Sequence, residues 1–185
     1  MEIDPAKAAL VRIVALDVDG VLTDNGIWIG PVAGQRVELK RFDIQDGLGI
    51  RLLRTAGIPV VWLSGRQSEA TAMRGEELQV DEVLQVPGPE KLKALEELRM
   101  RRGLAWEALA YVGDDLADLQ VMRRVGLPIA VANAVPEIRA VANCVTAALG
   151  GHGAVREIVD ALLKARGVWP EMLDRYFTEP RHPDG

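Results

Sequence analysis

Short apolar runs alternate with stretches of helical periodicity along most of the chain. The apolar runs lie at residues 10–18, 58–63, 109–112, 127–131 and 143–146. The helical stretches lie near residues 47–56, 67–78, 89–101, 115–125, 136–140 and 153–166. Because the apolar runs are nearly continuous, they are typical of strands buried on both faces of a parallel sheet. We therefore predict an α/β fold, a Rossmann-like open parallel sheet with helices on both faces.

Residues 26–41 interrupt this alternation. Two short extended runs, Ile27–Ile29 and Arg36–Leu39, lie on either side of a loop that contains Gly and Pro. This pattern predicts a β-hairpin inserted after the first strand. We expect one domain over residues 1–178, followed by an irregular, polar and Pro-rich tail over residues 179–185.

Composition and charge exclude several classes of function. The chain has 185 residues, enough for one domain with a sizeable core, and its formal net charge of −5 argues against a general nucleic-acid partner. No apolar run approaches the roughly 18 residues of a membrane span, and the N-terminus lacks the basic region of a secretory signal. We therefore expect a cytoplasmic protein without a membrane partner.

The single cysteine, Cys144, excludes an intrachain disulfide and is interpreted as a small core residue.

Polar side chains follow the predicted strands, at the edge where ligands bind in open α/β sheets. Five carboxylates are expected near one locus: Asp17, Asp19, Asp114, Asp115 and Asp118. Packed together, they would raise each other's pKa values unless a cation compensates. Oxygen ligands without histidine or thiolate favour Mg²⁺, which combines a few carboxylates with water and a substrate phosphate.

Groups that can bind an anion are expected beside these acids. Ser64 follows a strand and precedes a helix, where its hydroxyl and free backbone N–H groups can hold phosphoryl oxygens. Lys91 opens another helix and can reach the same oxygens. Three arginines, Arg51, Arg66 and Arg74, could bind a second anionic group such as a carboxylate. Together, acids, metal, hydroxyl and lysine describe a phosphoryl-transfer site.

Each of these features has a structural alternative when it is taken alone. The segment Asp17–Gly20 could be a loop with Asx-turn chemistry, and Gly113–Asp115 could be an N-capped turn before a helix. An EF-hand does not fit, because Gly20 is at position four of the loop and Leu22 at position six. Lys91 alone could be a solvated helix residue. The order of the features along the chain favours the phosphoryl-transfer interpretation.

That order resembles the haloacid dehalogenase superfamily of phosphohydrolases. Asp17–Asp24, which reads DVDGVLTD, is similar to its first motif, Ser64 to its second, Lys91 to its third, and Gly113–Asp118, which reads GDDLAD, to its fourth. A narrower resemblance, to the 3-deoxy-D-manno-octulosonate 8-phosphate phosphatase family, is carried by the hairpin and by the segments at residues 42–51, 63–66 and 150–157. It implies a Mg²⁺-dependent, cytoplasmic homotetramer that hydrolyses this sugar phosphate for lipopolysaccharide sugar synthesis. Relatives that act on nine-carbon keto-sugar acid phosphates remain an alternative.

The resemblance also implies roles for individual residues. Asp17 would attack phosphorus, and Asp19 would shuttle protons to the leaving group and from water. Mg²⁺ would be held by Asp17, by the backbone carbonyl of Asp19 and by Asp114, with Asp115 or Asp118 in the outer shell. Ser64 and Lys91 would neutralise the phosphoryl group, and Asp118 is a candidate partner for Lys91. The sugar acid would be selected by Arg51, Arg66 and Arg74 with the backbone around Asp43–Gly47.

The spacing of the motifs leaves no room for a cap domain. Only 40 positions separate Asp24 from Ser64, and 27 separate Ser64 from Lys91, and predicted elements fill both intervals. We expect another chain to close the open site, with the apolar hairpin as the interface; a hairpin packed on its own domain is the alternative. A phosphotransferase or a non-catalytic assembly module are further alternatives.

Two positions depart from the resembled pattern: Asn133, where a carboxylate is expected, and His152, where Arg is frequent.

Overall fold

Eight strands and eight α-helices succeed one another along residues 1–178, the part of the chain that this computed structural model describes. The strands are β1 (Ile13–Leu16), β2 (Trp28–Val32), β3 (Gln35–Leu39), β4 (Val60–Ser64), β5 (Glu82–Gln85), β6 (Leu109–Gly113), β7 (Leu127–Ala130) and β8 (Cys144–Val145). The helices are α1 (Pro5–Leu10), α2 (Ile44–Thr55), α3 (Glu69–Glu77), α4 (Lys91–Arg101), α5 (Leu119–Met122), α6 (Pro136–Val141), α7 (Ala154–Ala165) and α8 (Trp169–Thr178). Short 3₁₀ helices lie at Gly88–Glu90, Trp106–Ala108 and Leu116–Asp118. The expected tail, residues 179–185, lies outside the described part.

Six strands form one parallel sheet in the order β5-β4-β1-β6-β7-β8. Strand β1 is central, with Leu16 opposite Trp62 of β4 on one side and Val112 of β6 on the other. Every residue of β1, β4, β6 and β7 is buried, as their continuous apolarity requires. The chain winds outward from β1 in both directions, so its carboxyl end is a topological switch point where ligands bind. The predicted fold class is confirmed.

The sequence patterns missed three elements. Strand β5 lies at the sheet edge and is only half-buried, and Glu82 within it pairs with Arg101 and Arg102 of α4. A half-exposed edge strand does not need the continuous apolar run that revealed the others. Helix α1 has six residues, too few for a clear period, and α8 follows the last predicted helix closely. The helix expected over 115–125 is a 3₁₀ turn followed by the four-residue α5.

The predicted hairpin is confirmed as a separate two-stranded antiparallel sheet. Trp28 lies opposite Leu39, and Ala33 and Gly34 form the turn with φ angles of 49° and 79°. Positive φ at both turn residues matches the twist of a two-residue hairpin. Four large apolar side chains of the hairpin are exposed: Trp28, Val32 and Leu39 on one surface, and Ile29 on the other.

The remaining contacts place the helices against the sheet. Helix α7 has a fully apolar inner face and packs against α2. Cys144 in β8 is half-buried against the core, and burial raises the pKa of its thiol to about 11. Across residues 1–178, no helix combines the length and the apolarity that a membrane crossing requires.

Helix α7 takes its N-terminal cap from another helix. Gly153 precedes α7 and offers no side chain, while the buried Asp46 of α2 accepts a hydrogen bond from the amide of Arg156 at 2.8 Å. The other carboxylate oxygen of Asp46 is buried and has no donor within the described residues. Burial is the main cause that raises the pKa of Asp46 to about 6, from an ordinary value of 3.8.

This carboxyl makes stability depend on pH. Because the folded state holds the Asp46 proton up to a higher pH than the unfolded state, the contribution of Asp46 to the free energy of unfolding falls as pH rises from about 4 to 7. The variant Asp46→Asn keeps an acceptor for the helix cap and cannot ionise. We expect its free energy of unfolding, relative to wild type, to rise by up to about 3 kcal/mol across this range. Urea unfolding at pH 4.5, 6 and 7.5 measures the difference, and a difference that stays constant would contradict the prediction.

Candidate active site

Three buried aspartates meet at the carboxyl ends of the two central strands. Asp17 follows β1, and Asp114 and Asp118 follow β6; each offers one carboxylate oxygen within 4.8 Å of the others. The loop after β1 approaches Asp114 so closely that a Cβ on Gly20, whose φ is +91°, would lie 2.0 Å from Asp114 Oδ2. Glycine is therefore required at position 20 on both conformational and steric grounds.

Asp118 holds this acidic cluster together. Its Oδ1 accepts hydrogen bonds from Lys91 Nζ at 2.7 Å and from the Tyr111 hydroxyl at 2.6 Å. Its Oδ2 accepts from the amides of Asp114 and Asp115 at 3.0 and 3.4 Å. Both oxygens are thus fully used, and Asp118 fixes the turn after β6 and the position of Lys91.

Lys91 joins the two halves of the site. Its Nζ donates to Asp17 Oδ1 and to Asp118 Oδ1, each at 2.7 Å, although the side chain is 2% exposed. The two carboxylates raise the pKa of Lys91 against the opposing effect of burial, so it is held as an ammonium ion. Its position at the first turn of α4 brings a fixed positive charge to the end of β1.

The carboxylates of the cluster are not readily ionised together. Burial raises the pKa of Asp17 well above its ordinary value; the charge of Asp118 adds to this shift and Lys91 opposes it. Burial and the charge of Asp118 also raise the pKa of Asp114 to about 7. One ammonium ion therefore does not compensate three adjacent carboxylates, which leaves an electrostatic demand for a further cation.

The arrangement of donors and acceptors shows where such a cation fits. Asp114 Oδ1 is buried and accepts no hydrogen bond from any described residue. Because Asp118 is already saturated, Asp17 and Asp114 are the carboxylates that remain able to bind a metal ion. Oxygen ligands of this kind suit Mg²⁺. The motifs predict Asp17, Asp114 and the backbone carbonyl of Asp19 as metal ligands, with Asp115 or Asp118 in the outer shell, and these assignments stay predictions.

Asp19 is not one of these three clustered carboxylates and contacts the hairpin. Its Oδ1 lies 2.7 Å from Nζ of Lys40, the residue that follows β3. Sequence reasoning missed Lys40, since nothing in the chain order places the end of the hairpin beside the first motif. The expected contribution of the Asp19 backbone carbonyl to a metal site stays a prediction.

A cleft of about 210 Å³ opens over these residues. Its walls include the following residues: Asp17, Asp19, Asn25, Gly65, Arg66, Gly88, Lys91, Asp114, Asp115, Ala117 and Asp118. Ser64 is fully buried, and its hydroxyl donates to the Arg66 carbonyl at 3.0 Å. The segment after β4 therefore faces the cleft mainly through Gly65 and Arg66.

Other predicted site residues have local structural roles as well. Asp115 accepts a hydrogen bond from the amide of Leu116 at 2.7 Å, so it caps the 3₁₀ helix, as the structural alternative proposed. Asp43 caps α2 in the same way, through the amide of Gln45. Asn25, which sequence reasoning missed, lines the cleft with a φ of 66°, a conformation that asparagine tolerates.

The three predicted substrate arginines are not brought together in the described chain. Arg66 lines the cleft and pairs with Glu38 of the hairpin at 2.9 Å. Arg74 pairs with Glu77 at 2.7 Å, and its guanidinium lies close to Gly47 of α2. Arg51 is exposed on α2 and does not line the cleft. The expected binding surface for a sugar acid is therefore distributed over separate elements.

The two departures from the resembled pattern, Asn133 and His152, do not line the cleft. Asn133 donates to the Gly20 carbonyl at 2.9 Å and accepts from the amide of Gly150 at 2.6 Å. An amide makes both bonds at once, because it carries a donor and an acceptor. Asn133 thus connects the loop after β1 to the loop before α7. His152 lies in that second loop and is exposed.

Comparisons with known proteins agree with this geometry. Residues 82–158 match the family model described as haloacid dehalogenase-like hydrolase. The 3-deoxy-D-manno-octulosonate 8-phosphate phosphatase of Escherichia coli is 43% identical over 162 residues, which cover 88% of this chain and 84% of the relative.

Solved structures extend the similarity to the whole fold. The phosphatase of the same name from Moraxella catarrhalis, in complex with magnesium, phosphate and KDO, is 35% identical with a TM-score of 0.87, covering 93% of this chain and 97% of that one. The cobalt-bound enzyme from Haemophilus influenzae is 36% identical with a TM-score of 0.79, covering 87% and 92%. The chain belongs to the 3-deoxy-D-manno-octulosonate 8-phosphate phosphatase family of haloacid dehalogenase-like hydrolases.

Proposed function

We propose that this protein hydrolyses 3-deoxy-D-manno-octulosonate 8-phosphate to the free sugar acid and inorganic phosphate, in the cytoplasm, for lipopolysaccharide sugar synthesis. The observation that carries the proposal is the buried Asp17–Lys91–Asp118 arrangement beside Asp114, in a chain 43% identical to a phosphatase of that substrate. The arrangement supplies a carboxylate nucleophile and fixed positive charge at one end of an open cleft.

The first chemical step belongs to Asp17. A carboxylate oxygen of Asp17 attacks phosphorus and forms an O–P bond, while the bond between phosphorus and the sugar oxygen breaks. The electron pair that remains on the sugar oxygen takes a proton from Asp19. Lys91, held 2.7 Å from Asp17, keeps the nucleophile oriented and offsets negative charge near the transferring group.

The second step restores the enzyme. Water attacks the phosphorus of the aspartyl phosphate and gives a proton to Asp19, and the bond from phosphorus to Asp17 breaks. Phosphate leaves, and both aspartates return to their initial protonation states. Asp118, which accepts hydrogen bonds from Lys91 Nζ and from the Tyr111 hydroxyl, holds Lys91 in place in both steps.

A Mg²⁺ ion bound by Asp17 and Asp114 would offset the charge of the clustered carboxylates and of the phosphoryl oxygens. The proposal for this ion is supported by the unpartnered Asp114 Oδ1 and by the raised pKa values of both residues. The magnesium complex of the Moraxella catarrhalis relative supports the choice of metal.

We also propose a homotetramer assembled through the hairpin. Three apolar side chains, Trp28, Val32 and Leu39, lie on the outer surface of the hairpin, and each is more than half exposed. A patch of this kind is typical of an interaction surface. Without a cap domain, a neighbouring subunit is the available means of restricting water at the cleft.

The substrate assignment is tested by phosphate release from a panel of sugar phosphates. We expect the eight-carbon acid phosphate to give the highest kcat/KM, ahead of nine-carbon keto-sugar acid phosphates and simple hexose phosphates. A flat profile over the panel would contradict the substrate assignment while leaving the phosphatase activity in place.

The nucleophile is tested by Asp17→Asn. This variant keeps the shape of the side chain and removes the attacking charge, so we expect kcat to fall at least about 10³-fold, by analogy with the loss of a nucleophile in other enzymes. Asp4→Asn, at the cap of α1, is the matched carboxylate control for folding, followed by circular dichroism. Full activity in Asp17→Asn would overturn the mechanism.

The metal is tested by its removal. We expect phosphate release to stop in excess EDTA and to return when Mg²⁺ is added. Added Mg²⁺ should also raise the melting temperature of wild type, because a ligand that binds only the folded state stabilises it. Asp114→Asn should lose most of this shift. Unchanged activity in EDTA would contradict the metal assignment.

The assembly is tested by Trp28→Glu. A charge in the centre of the apolar surface should prevent its burial against another subunit, giving smaller particles in analytical ultracentrifugation and a lower kcat. Arg36→Glu, on an exposed position of the same hairpin, is the control. A fully active tetramer with Trp28→Glu would show that the hairpin is not the interface.

A further inference from the structure

We propose that Lys40 is the positioning residue for Asp19, and that the hairpin is thereby part of the catalytic apparatus within its own chain. The proposal rests on the proposed function, because it assigns Lys40 a task in the proton transfer from Asp19. It concerns a residue outside the four motifs of the family.

Lys40 is enclosed by polar groups from three elements. Its Nζ lies 2.7 Å from Asp19 Oδ1 and donates to Thr71 Oγ1 of α3 at 3.1 Å, while Glu38 Oε1 lies 3.9 Å away. The Lys40 side chain has no exposed surface. A buried ammonium ion with these partners has little freedom to move, unlike an ordinary surface lysine.

Asp19 depends on this lysine for its orientation. Both carboxylate oxygens of Asp19 are buried, and neither accepts a well-aligned hydrogen bond from the described residues. Within residues 1–178, the ion-pair partner of Asp19 is Lys40. If the ammonium group were lost, nothing else in residues 1–178 would hold the carboxylate in its present position. A displacement of about 1 Å in such a group can reduce a rate roughly 100-fold.

The hairpin fixes Lys40 in turn. Successive residues of an extended chain face opposite sides, so Glu38 and Lys40 face inward where Leu39 is exposed. Glu38 accepts hydrogen bonds from Ser68 at 2.8 Å and from Arg66 at 2.9 Å. The inner face of the hairpin is therefore attached to the loop after β4 and to the start of α3, close to the cleft.

Two interpretations of the Lys40 contact give different results with different leaving groups. If Lys40 positions Asp19, its loss should impair cleavage of an alkyl phosphate, because the departing sugar oxygen needs the Asp19 proton. It should hardly affect formation of the aspartyl phosphate from p-nitrophenyl phosphate, because nitrophenolate departs without a proton. If Lys40 only stabilises the fold, both substrates should be affected equally.

The experiment measures single-turnover release of the sugar and the pre-steady-state burst of nitrophenolate in Lys40→Met. We expect sugar release to slow by about 10- to 100-fold and the burst rate to change by less than about 3-fold. Lys40→Arg retains a cation and should recover part of the sugar release. Arg36→Met, on the exposed position of β3, should match wild type in both measurements.

A double mutant makes the test specific to Asp19. Since Lys40 acts through Asp19, the variant Asp19→Asn combined with Lys40→Met should release sugar no more slowly than Asp19→Asn alone. Additive losses, equal losses on both substrates, or an unchanged Lys40→Met would each overturn the proposal. If Lys40→Met does not fold, Lys40→Arg and Lys40→Gln are compared in the same measurements.

An error in the proposed function would be distinguishable from an error in the role proposed for Lys40. A wild-type protein that hydrolyses another alkyl phosphate but not the eight-carbon substrate would refute the substrate assignment, and the Lys40 comparison is then made with that alkyl phosphate. A wild type that hydrolyses no phosphate ester would overturn both proposals.

Discussion

The ion pairs of Lys91 with Asp17 and Asp118 are the interaction on which the site depends. A buried charge is strongly unfavourable unless it is paired and hydrogen-bonded, so the three side chains hold each other in one geometry. Tyr111 and two backbone amides complete the shell of Asp118. The carboxylate of Asp17, the proposed nucleophile, is consequently held by a set of paired and hydrogen-bonded groups.

The sheet makes this geometry possible. Strands β1 and β6 are buried and adjacent, so the residues that follow them emerge side by side at one edge. The topology reverses direction at β1, which opens a crevice there. Gly20 permits the loop after β1 to lie directly against Asp114, where any side chain would collide. The buried acids thus meet where hydrophobic packing places the strand ends and Asp118 fixes the turn after β6.

The hairpin presents different chemistry on its two surfaces. Its outer surface is apolar and suited to another subunit, while its inner surface carries the charges that reach Asp19 and Arg66. One short element can therefore connect assembly with the arrangement of the acid–base group. The arginines at this side of the site are engaged in pairs with Glu38 and Glu77, so recognition of an anionic substrate would require those pairs to be exchanged.

The sequence by itself determined the parallel sheet, the inserted hairpin and the set of acids at the strand ends. Strands that are buried on both faces need continuous apolar runs, and such runs can be read directly from the sequence. The order of the motifs along the chain can be read from it in the same way. It missed β5, whose half-exposed edge position imposes no such pattern. Only the tertiary structure decided that Asp118 is saturated while Asp114 keeps an unpartnered oxygen, and that Lys40 reaches Asp19. Those facts depend on distances between residues remote in the chain, such as Lys40 and Asp19, and no motif or periodicity in the sequence indicates that these two side chains meet.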